Sequence, residues 1–141
     1  LQEDGAVIAV DAGHGHFRVV SAGGVVRSLP LPGTPPVGVA AGVAYHALEF
    51  ALSAGEMLVV FTDGLVEQVG AEGEMFGVER LERVLGGVEV EPGAAVRALL
   101  GELDAFRGSV ALADDATVAA FAFGGGGAGN ATGGGVPPAA G

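Results

Sequence analysis

Residues 57–68 read MLVVFTDGLVEQ, an apolar run that ends in Thr62, Asp63 and Gly64, and residues 112–123 read LADDATVAAFAF, where Asp114 and Asp115 precede an apolar run. If both runs are strands and pair antiparallel, the end of one and the start of the other share a sheet edge, and Asp63 meets Asp114 there. Two carboxylates held close repel, and one is driven towards protonation unless a cation lies between them. Hard divalent ions such as Mg2+ and Mn2+ take carboxylate oxygens, keep several waters and can turn a bound water into a nucleophile. Gly64, with no side chain, leaves room for a metal ion or a phosphoryl group to approach the backbone. Asp before Gly is equally ordinary turn chemistry, and Asp-Asp ahead of a strand equally suits a solvated loop. Spacing alone leaves both readings open.

The elements that must carry these acids can be read from periodicity. Ala6 to Val10, Phe17 to Ser21 and Val25 to Leu29 are short apolar runs, and Gly23-Gly24 between the last two permits the positive φ of a tight hairpin. The proline-rich LPGTPPVGV, residues 31–39, is a surface loop. Residues 45–52 alternate with a period of two, as a half-buried strand does, and Ser53-Ala54-Gly55-Glu56 then turns into MLVVFT, which suggests a second hairpin. Val78, Leu81, Val84 and Leu85 share one helical face that stops at Gly86-Gly87; Val96, Leu99, Leu100, Leu103 and Phe106 share another between Pro92 and Gly108. Strands grouped first and helices inserted later indicate an α+β domain, helices packed on a largely antiparallel sheet.

Composition narrows the function classes. A chain of 141 residues, half of them apolar, buries one modest core. The absence of cysteine excludes disulfides, zinc-thiolate sites and thiol nucleophiles, and fits a reducing, cytoplasmic compartment. A net charge of -11, with six Arg and no Lys, argues against nucleic acid and leaves divalent cations as natural partners. No apolar stretch approaches the roughly 20 residues that span a bilayer. The chain begins at Leu1 rather than Met, which fits a piece of a longer protein. From Gly124 the sequence GGGGAGNATGGGVPPAAG offers too little side chain to bury, so residues 124–141 are expected to be a disordered tail, with the Asn130-Ala131-Thr132 sequon a coincidence.

Five motifs in order, AGHGH (12–16), GTPPVGV (33–39), LSAGEMLVVFTDGLVEQ (52–68), GEMFGVERL (73–81) and DDATV (114–118), resemble the C-terminal half of the SpoIIE/RsbU-type domain of metal-dependent serine/threonine phosphatases, the bacterial branch of the phosphatase 2C-like (PPM) superfamily. The usual wording there is close to AGHPP, GxPLG, LxPGDxLxLYTDGxxE, FGxERL and DDxT. The resemblance covers residues 1–123. It implies an antiparallel β-sandwich flanked by helices in a four-layer fold, incomplete at its N-terminus, with two Mn2+ or Mg2+ ions at one edge. Such a site attacks a phosphoserine or phosphothreonine in line with a metal-activated water. By the same resemblance Asp63 and Asp114 are the metal ligands, Gly64, His14 and Asp115 are their candidate neighbours, and no catalytic side chain beyond the metal-bound water is implied. Asp115 either positions its loop or stays solvated.

The stretch AVDAGHGHF superficially resembles the superfamily's first metal motif, which would make Asp11 a bridging ligand. Two features oppose that: a helix should follow, whereas FRVVSAGGVVRSL reads as a hairpin, and the interval from Asp11 to Asp63 matches AGH-to-TDG spacing. Asp11 therefore belongs to the AGH motif, at a position where Asn is frequent. His14 and His16, two apart, fall on one side of an extended chain, and either join the site or are polar loop histidines. Val37 replaces a Leu and Glu56 an Asp of the family wording. Glu67 matches TDGxxE, yet a Glu in the first turn of a helix is also explained by the helix dipole. The family's first metal-binding aspartate has no counterpart before residue 11.

Three functions follow as expectations. The first is part of a phosphoprotein phosphatase in bacterial regulatory signalling, inactive as this segment alone. Its substrates would be of the phosphorylated STAS-type anti-sigma-factor antagonist class, and an upstream sensor or the remaining half-domain would be its partner. The second is a phosphatase-like binding module without turnover. The third is an ordinary α+β domain whose acids only solvate its surface.

Overall fold

The run Met57–Phe61 is the most deeply buried strand of the molecule, and the rest of the fold is arranged on its two faces. The computed structural model describes residues 5–13, 15–31 and 33–124. In chain order the elements are β1 (Ala6–Val10), β2 (Phe17–Ser21), β3 (Val25–Ser28), β4 (Ala47–Ala51), β5 (Glu56–Phe61), α1 (Asp63–Val66), α2 (Val78–Gly86), α3 (Pro92–Arg107) and β6 (Val118–Phe123). Two antiparallel sheets result, one of order β1-β4 and one of order β3-β2-β5-β6. The α+β class and the antiparallel sandwich expected from the sequence are what the chain adopts.

Alternation along β2 and β5 sends side chains to opposite layers. Val19 and Leu58 meet Val7 and Leu52 between the sheets. Val20, Met57, Val59 and Phe61 meet Leu65, Leu81, Leu85, Leu99 and Leu103 under the helices. Each such fully buried aliphatic contributes on the order of 1.5–3 kcal/mol through removal from water. The described residues thus form three layers, sheet, sheet and helices; helices cover the four-stranded sheet on one face only.

The β2–β3 hairpin forms as expected, with Gly23 and Gly24 at φ of 85° and 79°. Gly24 has a second reason to be glycine: a Cβ there would lie 2.4 Å from the Gly86 carbonyl oxygen, so the turn rests directly on the end of α2. Helix α3 begins with Pro92 in its first turn, and the Glu91 carboxylate accepts from the backbone N–H of Gly93 and Ala94. Helix α2 is tied to α3 through Arg80, whose guanidinium lies 4.3 Å from the Phe106 ring centroid and 3.5 Å from Glu102.

One expected pairing is not formed. β4 and β5 are consecutive, but they do not make a hairpin: β4 pairs with β1, Val7 opposite Phe50, while β5 lies between β2 and β6. The turn at 53–56 carries the chain from one sheet to the other. It is closed by Glu56, whose backbone N–H donates to Ser53 O and whose carboxylate accepts from Ser53 N at 2.8 Å. Alternation identifies a strand's buried face, whereas its partner is decided by which sheet can bury that face. The tail from residue 125 onward and His14 lie outside the described residues.

Candidate metal centre

Strand β5 ends at Phe61 opposite Val118, the first residue of β6, so the chain leaving β5 and the chain entering β6 lie side by side. Thr62 takes the N-cap position of α1, but its hydroxyl makes no cap bond. Instead it donates to the Asp115 carbonyl at 3.1 Å and accepts from Thr117 N–H at 3.0 Å, while Thr62 N–H donates to Thr117 O. The hydroxyl of the TDG motif is therefore a hook that holds the DDAT loop. Asp63 opens the single turn of α1 half-buried, and one of its oxygens accepts from Gly64 N–H at 2.9 Å. Glu67 is the C-cap of that turn rather than a residue of a first turn, because α1 stops at Val66.

Gly64 is buried against the opposite loop. A Cβ there would stand 2.5 Å from the Asp115 carbonyl oxygen and 3.5 Å from the Asp114 carbonyl carbon. Any side chain would push the two loops apart, so the glycine's function here is close approach of backbones. Asp114 and Asp115 are both exposed, and the Asp115 N–H donates to the Asp114 carboxylate at 2.7 Å. The structure thus brings the Asp63-Gly64 turn and the Asp114-Asp115 loop together at one sheet edge. Asp115 positions the loop through its backbone and keeps its side chain in solvent.

Asp11 lies apart in role. It is buried, 4% exposed, and its carboxylate accepts from the backbone N–H of Gly13 at 3.0 Å, Gly15 at 3.1 Å and Thr34 at 3.4 Å. The Thr34 hydroxyl donates to the Asp11 carbonyl. This wiring pins the proline-rich loop to the β1–β2 loop, as a loop-forming acid does. His16 stacks on Phe61 with centroids 5.0 Å apart, and its carbonyl accepts from Phe61 N–H. Between these loops and the ends of β5 and β6 lies a cavity of about 170 Å³ whose walls include Asp11, Gly13, His16, Phe61, Thr62 and Thr117. Neither Asp63 nor Asp114 lines it.

Sequence reasoning missed Thr62 and Gln68. Gln68 is fully buried, and its amide spans to the strand-entry loop: Nε2 donates to Val69 O and Ala111 O, and Oε1 accepts from Ala113 N–H. A polar side chain whose partners lie far along the chain leaves no local pattern to detect. Asp63 and Asp114 put carboxylate oxygens, the ligand type that hard divalent ions take, on two loops that the contact at Gly64 holds together. Among the described residues no group of three or more Asp, Glu, His or Cys gathers in one place, so water and further groups would complete any coordination shell.

The sequence profile of the Stage II sporulation protein E (SpoIIE) family matches residues 2–123. No curated protein gives a significant match. Among solved structures, the SiaA-PP2C domain of Pseudomonas aeruginosa is 25% identical with a TM-score of 0.66, over 79% of this chain and 44% of that one. The PP2C phosphatase domain of SpoIIE from Bacillus subtilis, solved with a fragment of its regulatory domain, is 21% identical with a TM-score of 0.67, over 83% of this chain and 33% of that one. The RsbU and RsbW domains of a Mycobacterium tuberculosis protein are 23% identical with a TM-score of 0.59, over 83% and 32%. This chain therefore spans less than half the length of each of these three solved chains. It belongs to the SpoIIE family and has the PP2C-like fold of that family's phosphatase domains.

Proposed function

We propose that this chain is the C-terminal part of a metal-dependent serine/threonine phosphoprotein phosphatase, with Asp63 and Asp114 as its metal-ligating residues. The observation that carries this reading is the seating of the Asp114-Asp115 backbone against Gly64, next to Asp63, which sets two carboxylate-bearing loops at one sheet edge. Mn2+ or Mg2+, two ions in the complete domain, would supply an activated water and charge neutralisation for hydrolysis of a phosphomonoester. The residues of this chain hold and orient: Asp63 is fixed at the head of α1, Asp114 is presented by a loop hooked to Thr62, and Gly64 keeps the space between the loops narrow. A phosphorylated STAS-type regulatory protein is the substrate class in this reading, an upstream sensor or the remaining half-domain its partner, and the cytoplasm its location. Among the described residues no helix is long and apolar enough to cross a membrane. One relative's phosphatase domain was solved after presoaking in Mn, which agrees with the choice of ion.

The second reading, a phosphatase-like binding module without turnover, draws on the absence of a third gathered ligand among the described residues. A thermal melt with and without millimolar Mn2+, run on the wild type and on Asp63→Asn, tests the metal assignment on which the first reading rests. A ligand that binds only the folded state stabilises it, by about 2.7 kcal/mol at a hundred times its dissociation constant. The expected outcome is a Mn2+-dependent rise in the wild type that Asp63→Asn loses while keeping the same metal-free midpoint. An equal rise in both proteins would remove Asp63 from the site.

A further inference from the structure

The loop that carries Asp114 runs from the end of α3 to β6 without regular structure, and Asp114 itself is exposed. An acid in such a setting would ordinarily sample many positions. Here it lies between two fixed points. On its C-terminal side Thr62 holds the Asp115 carbonyl and the Thr117 N–H. On its N-terminal side the holder is Gln68, which accepts from Ala113 N–H at 3.0 Å and donates to Ala111 O at 3.1 Å. Ala113 is the residue immediately before Asp114.

We propose that Gln68 is a positioning residue for the metal centre: its buried amide clamps residues 111–113 and so sets where Asp114 presents its carboxylate. This rests on the reading of Asp114 as a metal-ligating residue. The chemistry singles out an amide. The slot offers two carbonyl oxygens and one N–H, and only a group with two donors and an acceptor on one planar head satisfies all three. Burying such a group is costly unless every polar atom is paired, and every one is. Gln68 also follows directly on the TDGLVE segment, so a single short stretch of chain supplies Asp63, the Thr62 hook and the amide that fixes the opposite loop. Residues that orient a metal ligand without touching the metal typically change metal affinity or activity 10- to 100-fold when altered, as an order of magnitude.

The test uses the full-length protein with Gln68→Met, Gln68→Asn and Asp114→Asn beside the wild type. Met matches the buried volume without the amide; Asn keeps the amide on a side chain one methylene shorter and adds no charge. Mn2+ binding is read from the electron paramagnetic resonance signal of the free ion, and hydrolysis of p-nitrophenyl phosphate is followed against Mn2+ concentration. Folded Gln68→Met is expected to bind Mn2+ about tenfold more weakly, with turnover restored at saturating Mn2+ and KM for the phosphoester unchanged. Gln68→Asn should fall between it and the wild type, and it carries the test if Gln68→Met does not fold. Wild-type Mn2+ affinity in a folded Gln68 variant, with Asp114→Asn impaired, overturns the clamp and leaves the metal reading standing. A loss of turnover that added Mn2+ does not restore also overturns it, because Gln68 would then serve only the fold. Wild-type Mn2+ affinity in Asp114→Asn removes the metal reading and the clamp with it.

Discussion

Asp11 and Asp63 occupy similar settings in the sequence, each at the end of an apolar run and each followed closely by glycine, in VDAG and TDG. The fold uses them in opposite ways. Asp11 is turned inward and takes three backbone N–H groups, so its charge is spent on the shape of the β1–β2 and proline-rich loops. Asp63 stays half-buried at the head of a turn, between Thr62 and Gly64, which draw in a second acidic loop. What separates the two acids here is burial and position: Asp11 is 4% exposed inside its own loops, whereas Asp63 is half-buried where two loops meet.

The comparison can be broken at its first member. Asp11→Ala leaves three backbone N–H groups without their acceptor and should destabilise the protein by about 3 kcal/mol. Asp11→Asn, which keeps one carbonyl oxygen, should cost about 1 kcal/mol. Denaturant unfolding measures both. The Mn2+-dependent rise should survive in Asp11→Asn, the reverse of the pattern expected for Asp63→Asn, and its loss would make Asp11 part of the metal site. At the second member, Gly64→Ala places a methyl group 2.5 Å from the Asp115 carbonyl oxygen. An overpacked contact of that kind costs about 1–3 kcal/mol. It should also weaken Mn2+ binding, which calorimetric titration would show; unchanged binding would mean that the spacing of the two loops is not what the metal reads.

A third carboxylate gives the smallest effect. Glu56 is held below its ordinary value of 4.5, first by the Ser53 backbone N–H and then by the Ser21 hydroxyl and the Arg27 guanidinium, against the opposing effect of burial. A depressed carboxyl contributes stability that is fully present above the ordinary value and is lost as pH falls through the lower, folded one. Melting midpoints should therefore drop in acid below about pH 4.5, and Glu56→Gln should flatten that drop while changing little at neutral pH.

Much of this architecture is legible in the sequence. The alternation of residues 45–52, the glycines at 23 and 24, and the helical faces ending at Gly86 and Gly108 all mark their elements within a residue or two. The convergence of the TDG and DDAT segments follows from pairing the two apolar runs that flank them. What was hidden is long-range. Nothing in β4 says that its partner is β1 rather than β5, because a period of two reports a buried face and not the strand beside it. The same holds for Thr62 and Gln68, whose side chains look like an ordinary helix cap and an ordinary surface amide until the loop they hold is in place.

The position of β5 also bears on how the molecule comes into being. Its inner neighbour β2 is complete before β5 is made, but its outer neighbour begins only at Val118. At synthesis rates of about 5–20 residues per second, that interval lasts several seconds. Through it β5 presents one unpaired edge, the kind of surface that invites wrong partners, and Thr62, Gly64 and Gln68 have no loop to hold. Helices α2 and α3 are made in the meantime and can cover the sheet's face, though not that edge. Among the described elements, the candidate site is therefore completed last, when β6 docks.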